Sequence, residues 1–255
     1  MVVIGGDTTA KAAVTTKEVT ATANCTSAEL QNLLDLNKEG NYNLIVNIPE
    51  GTYNLDKELR IYSNTSIIAD PNAKLMRNHT KGAILANDLS KDAGGYNTTV
   101  NISVTGGVWD TKVRDSNIGS ESFRFIHASN VVIREAIICN VPNGSHLIAL
   151  AGVRNASIDD CRLFGYRGTM LKESIHLDIV HDNAVVPSLQ SKSLVYDDLV
   201  CDNIQITNCE IYDYPRGIGS EYHYPYRPLT QSNHSYPHIR NPLSYLCSFF
   251  VNSHI

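Results

Sequence analysis

The stretch Asn130-Val-Val-Ile133-Arg-Glu-Ala136-Ile-Ile138, echoed by Asn155-Ala-Ser-Ile158-Asp-Asp-Cys161-Arg-Leu163 and by Asn203-Ile-Gln-Ile206-Thr-Asn-Cys209-Glu-Ile211, decides the fold. Each copy places an aliphatic residue three positions after its asparagine, a small residue at six and a bulky apolar one at eight. Asn101 repeats the phrase with Val104, Gly107 and Trp109, and Asn64 keeps its first half with Ile67. Self-similarity at a period of roughly 20 to 50 residues marks a repeat architecture, in which each unit buries its apolar face only against its neighbours. The phrase therefore reads as one rung of a coil of stacked β-strands.

Successive phrases start 37, 29, 25 and 48 residues apart. The short intervals approach one turn of the coil and the long ones contain excursions, the largest between Val180 and Asp202. Upstream, Asn43-Leu-Ile-Val-Asn-Ile48 is an apolar strand stopped by the Pro49-Glu50-Gly51 turn. Leu59-Arg-Ile-Tyr62, Ser66-Ile-Ile68 and Lys74-Leu-Met76 continue the pattern, for about six or seven rungs in all. Ahead of these, Thr26-Ser-Ala-Glu29 has the spacing of a capping box, and Leu30, Leu33 and Leu34 follow at helical spacing. This predicts one short helix, roughly 27–36, lying just before the first strand as a lid on an open solenoid end.

The organisation expected is a leader over residues 1–25, a solenoid over 26–220 and an atypical tail or cap over 221–255. The leader, with Val2-Val-Ile4 and then Thr9-Ala-Lys-Ala-Ala13, reads either as the remnant of a secretory signal or as disorder. The tail loses both the alternation and the asparagine phrase. It reads as a cover for the last rung or as an altered end.

Composition agrees with an all-β chain. Only 18% of the 255 residues are charged, and Thr, Ser, Asn and Gly fill the spaces between short aliphatic runs. A net charge of −5 without a basic stripe gives no electrostatic reason to bind nucleic acid. No run of about 18 apolar residues is present to span a membrane. Of the six cysteines, Cys161 and Cys209 occupy the small-residue position of the phrase and read as buried thiols in a side-chain stack rather than as bridge partners.

Ile48-Pro-Glu-Gly-Thr-Tyr53, Asn64-Thr-Ser-Ile67 with Ala69-Asp-Pro-Asn-Ala-Lys-Leu75, and Asn101-Ile-Ser-Val-Thr-Gly-Gly-Val-Trp109 resemble the opening rungs of right-handed, single-stranded parallel β-helix proteins of the pectin-lyase-like superfamily. The resemblance covers about residues 28–220. Lys172-Glu-Ser-Ile-His-Leu-Asp-Ile179, Tyr196-Asp-Asp198 and Pro215-Arg-Gly-Ile-Gly-Ser220 are similar to a segment of secreted β-helix proteins of Gram-positive bacteria, some of them glycosidases. The resemblance implies a secreted or cell-surface protein acting on an oligo- or polysaccharide, here expected as a monomer. Fold alone does not give the reaction.

Strand alternation then places chemistry. If Ile175, Leu177 and Ile179 face the core, Ser174, His176 and Asp178 face outward, successive members ~6.5–7 Å apart. On the preceding rung Ala149 and Ala151 would face outward too, leaving room for a sugar ring. Glycoside hydrolysis needs an acid and a base or nucleophile, with carboxyls ~5–5.5 Å apart for retention or ~6.5–9.5 Å for inversion. Glu173, Asp178 and Asp182 are the catalytic candidates, with Asp178 as nucleophile or base and Asp182 or Glu173 as acid. His176, His181, Asp197, Asp198 and Arg216 are candidates for substrate binding.

Some of these residues have a plainer reading. Glu173 shares parity with Ile175 and would be a buried carboxylate paired with Lys172 or Arg216; Asp197 and Asp198 would be a solvated loop; His127 and His146 read as packing residues. Two further functions compete. In a Ca²⁺-dependent polysaccharide lyase, Asp178, Asp182, Asp197 and Asp198 would hold the ion and Arg216 or Lys172 would act as base. The other is a non-catalytic adhesin holding glycan on the flat sheet, with Tyr222, Tyr224 and Tyr226 as stacking groups or cap packing. A polygalacturonase is disfavoured, because of its signature only an Asp-Asp pair is present, out of context.

Overall fold

The computed structural model describes residues 14–80, 82–89, 94–112, 121–181 and 195–219, together with the backbone of 245–251. They form a parallel β-helix with three strand faces. The first face stacks β1 (Thr16–Thr20), β2 (Asn43–Ile48), β5 (Thr65–Ala69), β8 (Thr99–Thr105) and the later halves of β10 (Phe123–Arg134) and β12 (Ile148–Asp159). It ends on the first part of β15 (Asp202–Ile211). The second stacks β3 (Gly51–Leu55), β6 (Ala73–Arg77), β9 (Val108–Asp110), β11 (Ile137–Cys139), β13 (Arg162–Phe164) and the end of β15. The third stacks β4 (Leu59–Ile61), β7 (Leu85–Asn87), the opening halves of β10 and β12, β14 (Glu173–Asp178) and β16 (Arg216–Gly219).

The asparagine phrase has a backbone cause. Asn64, Asn101, Asn130, Asn155 and Asn203 all have φ between 53° and 58°, the left-handed region that Asn tolerates better than other non-glycine residues. They turn the chain from the third face into the first. Their amides also bond to one another along the axis. Asn101 Nδ2 donates to Asn64 Oδ1 (2.8 Å), Asn130 to Asn101 (2.8 Å), Asn155 to Asn130 (3.2 Å) and Asn203 to Asn155 (2.8 Å). Five positions later Gly106, Glu135, Asp160 and Asn208 are again left-handed, which makes the second corner. A small residue then fits inside the bend: Gly107, Ala136, Cys161 and Cys209, the last three at most 1% exposed. Cys161 and Cys209 are the stacked, unbridged thiols expected.

Asn130→Ala removes two ladder bonds and the side chain best suited to that φ. We expect a loss of about 1.5–3 kcal/mol, combining ~0.5–1.5 kcal/mol per hydrogen bond with the left-handed penalty. Asn130→Gly should recover the backbone share in a denaturant titration. An Ala variant as stable as the parent would mean that the ladder contributes nothing.

The core lies inside the three faces. Ile67, Val104, Ile133, Ile158 and Ile206 form one file, Leu75, Trp109, Ile138 and Leu163 a second, and Leu59, Leu85, Phe123, Ile148 and Ile175 a third. All are essentially inaccessible. Trp109 meets Phe123 edge-on at 4.9 Å and ties the second file to the third.

Helix α1 (Ser27–Asp35) carries the capping box on Thr26 and buries Leu30 and Leu34 over the first rung. It does not precede the first strand as expected, because Thr16–Thr20, within the stretch read as leader, forms β1 and pairs with β2. The helix serves the rung edge that β1 leaves open. Gln31 Oε1 accepts from the Arg60 amide (2.7 Å) and its Nε2 donates to the Arg60 carbonyl (3.1 Å), while Ser27 Oγ accepts from the Asp56 amide. These side chains stand in for a missing strand, satisfying groups that would otherwise template another chain. At the other end, β17 (Tyr245–Val251) runs antiparallel along β15, from Ile204↔Val251 to Ile211↔Tyr245.

Candidate functional site

The strand β14 carries the site, and its register explains which side chains meet. Ile175 pairs with Ile148 and Ile218 and points into the core; His176 pairs with Ala149 and Gly219 and points out. Followed across the rungs, the outward row reads Arg60, Ala86, Arg124, Ala149, His176, Gly219, alternating long side chains with small ones. The expected direction of His176 holds. Its exposure does not: only 5% of His176 is accessible, and Ser174 is fully covered.

Next to this strip the chain doubles back after β14. Val180 bonds back to Leu199 as an antiparallel bridge, and Val180 and Leu199 pack with Leu89, Ile126 and Ala151 in a second apolar cluster outside the coil. Ala151, expected to line an open floor, is therefore buried; Ala149 and Gly219 remain half-open.

Around His176 the polar groups form a charged chain. His176 Nε2 donates to Asp178 Oδ2 (3.0 Å), and its Nδ1 faces Glu173 Oε2 at 3.5 Å. Glu173 Oε1 accepts from an Arg216 guanidinium nitrogen (2.9 Å), and Asp178 Oδ1 accepts from the Ile179 amide (2.8 Å). The order Arg216, Glu173, His176, Asp178 alternates in sign, as buried charges require. Burial alone would make His176 harder to protonate. Its hydrogen bond to Asp178 and the nearby carboxylate of Glu173 outweigh this, and its pKa is raised. Burial likewise favours a neutral Glu173, but His176 and Arg216 hold it down to about 2.

His146, read as a packing residue, belongs to this cluster. It lies one rung below Glu173, stacks on His176 with ring centres 4.2 Å apart, and its Nδ1 donates to the Glu173 carbonyl (2.7 Å). Burial, reinforced by the cationic His176, lowers its pKa to about 3, so it is neutral. The signal that could have found it is its separation from Glu173, 27 residues, close to one rung. His127 is packing, as expected: it is buried, and its ring nitrogens face the carbonyls of Gly95 and Val195.

The remaining candidates disperse. Asp197 accepts from the Gly95 amide (2.9 Å), and Asp198 pairs with His181 (2.5 Å) at a turn where its own φ is 54°. Asp182 and the tyrosines at 222, 224 and 226 lie outside the described residues. Asp178, Asp197 and Asp198 each answer a different donor, so these residues do not fit an all-oxygen Ca²⁺ cage, which needs six to eight ligands. Among the described residues, the ligating side chains that converge are His146, Glu173 and His176. A separate groove of about 390 Å³ lies near Asn47, Ile68, Asp70, Thr105 and Glu135, away from this cluster.

The charge states predict acid lability with a definite sign. His146 has a folded value near 3 against an ordinary 6.5, so its contribution is complete above 6.5 and is lost as pH falls towards 3. Glu173, near 2 against 4.5, adds a second loss below 4.5. His176 works in the opposite sense and keeps its full contribution below 6.5. Melting temperatures measured from pH 7 to pH 3 should fall, and His146→Asn should flatten the upper part of that fall. An unchanged profile in the variant would contradict a neutral buried His146.

The sequence matches no protein-family profile and no curated protein. Solved structures do match. Two structures of PfbA, a surface adhesin of Streptococcus pneumoniae, superpose with TM-scores of 0.61 and 0.60 at 21% identity, covering 78% of this chain and 50% and 53% of theirs. A glycosyl-hydrolase candidate from Parabacteroides merdae superposes with a TM-score of 0.56 at 13% identity, covering 80% of this chain and 90% of that one. This chain thus spans about half the length of the two adhesin chains. At these identities the likeness is one of fold.

Proposed function

We propose that this chain is a carbohydrate-directed β-helix of the cell surface or its exterior, which holds an oligo- or polysaccharide against the third face at Asp178. The observation that carries this reading is the Asp178 carboxylate. It is oriented by His176 and the Ile179 amide, its side chain is 12% exposed, and it follows His176 along the strand, whose neighbours Ala149 and Gly219 form a half-open floor. A fixed carboxylate accepts paired sugar hydroxyls, while small residues let a ring approach the sheet. Arg216, with its side chain 53% exposed, supplies donors at the edge of the same strip. The adhesin neighbours are consistent with binding as the principal activity and with a surface location.

Hydrolysis is a second reading, favoured by one feature: a carboxylate held in a fixed orientation by an imidazole, as a base or nucleophile needs to be. Asp178 suits that role. Glu173 does not suit the acid, because it is sealed, ionised and engaged by Arg216. Asp182 is then the acid of this reading, Glu173 positions His176, and His181, Asp197 and Asp198 border the approach.

The test is a glycan-array and polysaccharide-binding measurement on the parent chain, Asp178→Asn and Ala149→Tyr, with reducing-end release followed in parallel. Both variants should lose at least tenfold in binding, Ala149→Tyr by filling the floor beside His176 while leaving every ionisable group of the charged chain in place. Release by the parent and not by Asp178→Asn would establish hydrolysis. Undiminished binding by both variants would remove the third face from the account.

A further inference from the structure

Two buried polar atoms of this cluster have no hydrogen-bond partner, Glu173 Oε2 and His176 Nδ1, and they face each other at 3.5 Å. Their residues are 1% and 5% exposed, so no bulk water compensates them. Every other polar atom of the two side chains is engaged: Glu173 Oε1 by Arg216 and His176 Nε2 by Asp178. His146 follows the same pattern. Its Nδ1 donates to a carbonyl, which leaves the lone pair of the neutral ring on Nε2.

This is the arrangement that outer partners impose on metal-binding side chains. Ligating imidazoles give their second nitrogen to a carboxylate or a carbonyl, which fixes the tautomer and turns the lone pair towards the ion. Asp178 does this for His176, whose Nδ1 proton the ion displaces to solvent on binding, and the Glu173 carbonyl does it for His146. One nitrogen of each ring and a Glu173 oxygen lie within 4.8 Å of one another, against ~3.4 Å between ligands that sit 2.0–2.1 Å from a tetrahedral ion; the His146 nitrogen facing Glu173 Oε2 is Nδ1 (3.8 Å), so this ring must turn to offer Nε2 to the ion.

We infer that His146, His176 and Glu173 form a binding site for one divalent transition ion of the zinc class, with the fourth position open. Two imidazoles and one carboxylate are a borderline-soft N₂O set, suited to zinc or cobalt and too poor in oxygen for Ca²⁺. Now stacked with their planes 18° apart, the rings must tilt for both lone pairs to meet at one ion. A three-ligand site with an open position binds water or a substrate oxygen there. The site is independent of the glycan reading, since it requires no sugar.

The test uses the full chain stripped with chelator and titrated with ZnCl₂, with CaCl₂ as the control and CoCl₂ as the visible reporter. One equivalent of zinc should bind, calcium should not compete, and cobalt should give the intense visible bands of a four-coordinate ion. His146→Asn keeps a side-chain donor for the Glu173 carbonyl and should lose at least tenfold in affinity, as should Glu173→Gln. Asp178→Asn should lose about 10–100-fold through the outer partner alone. In the unaltered chain zinc should shift the imidazole resonances of His146 and His176, a readout that does not depend on a variant folding. Absence of stoichiometric binding, or binding undiminished in His146→Asn, would overturn the proposal, the latter by placing the ion on other histidines.

Discussion

Glu173→Gln is expected to lower stability by about 3–5 kcal/mol, the scale for removing one partner from a buried charge pair. The carboxylate is 1% exposed and lies between the cations of Arg216 and His176. A neutral amide leaves His176 with Asp178 alone and Arg216 with nothing in the register of β14 and β16. At roughly 2–4 °C per kcal/mol for a domain of 150–250 residues, the melting temperature should fall by about 6–20 °C. Arg216→Gln should cost much less, about 1 kcal/mol, because its half-exposed side chain is already screened by solvent. The ordering matters more than either value. If the two substitutions cost the same, the charged chain is a surface ion pair rather than a buried one.

Trp109→Ala should cost a similar amount, about 3–5 kcal/mol, by a different cause. The indole is completely buried, packs edge-on against Phe123, and donates from its ring nitrogen to the Gly106 carbonyl (3.0 Å). Its removal opens a cavity where the second and third faces meet, and the stacked rungs on either side cannot collapse into it without losing register. Chemical denaturation should show a shifted midpoint. A loss below about 1 kcal/mol would mean that the core of this rung is loosely packed.

The phrase beginning at Asn130 predicted both the stack and its inward file, because the spacing of Ile133, Ala136 and Ile138 is set by where the corners fall. What it did not disclose is why asparagine opens each rung. The left-handed φ and the amide ladder exist only once neighbouring rungs are superposed, so a single copy of the phrase carries no trace of them. The site was legible in the same partial way. Alternation around Ile175 assigned His176 and Asp178 to the outer side, but alternation gives a direction and not a cover: the apolar cluster that buries the outward-facing Ala151 draws Leu89, Ile126, Val180 and Leu199 from four other parts of the chain.

The pairing of Glu173 with Arg216 was one of two partners open to it. The long excursion after Val180 conceals the number of residues per turn, and hence the register that brings position 216 beside position 173. His146 was assigned to packing for a related reason. Its importance depends on an imidazole stack and an unpaired carboxylate oxygen, neither of which has a sequence signature.

The most direct test of the glycan reading is a crystal structure of the chain with an oligosaccharide chosen from the binding measurements. A sugar ring lying over Ala149 and Gly219, its hydroxyls bonded to Asp178 and Arg216, is the predicted result. An oligosaccharide seated instead in the groove beside Ile68, Asp70 and Glu135, with the strip at Asp178 vacant, would contradict it.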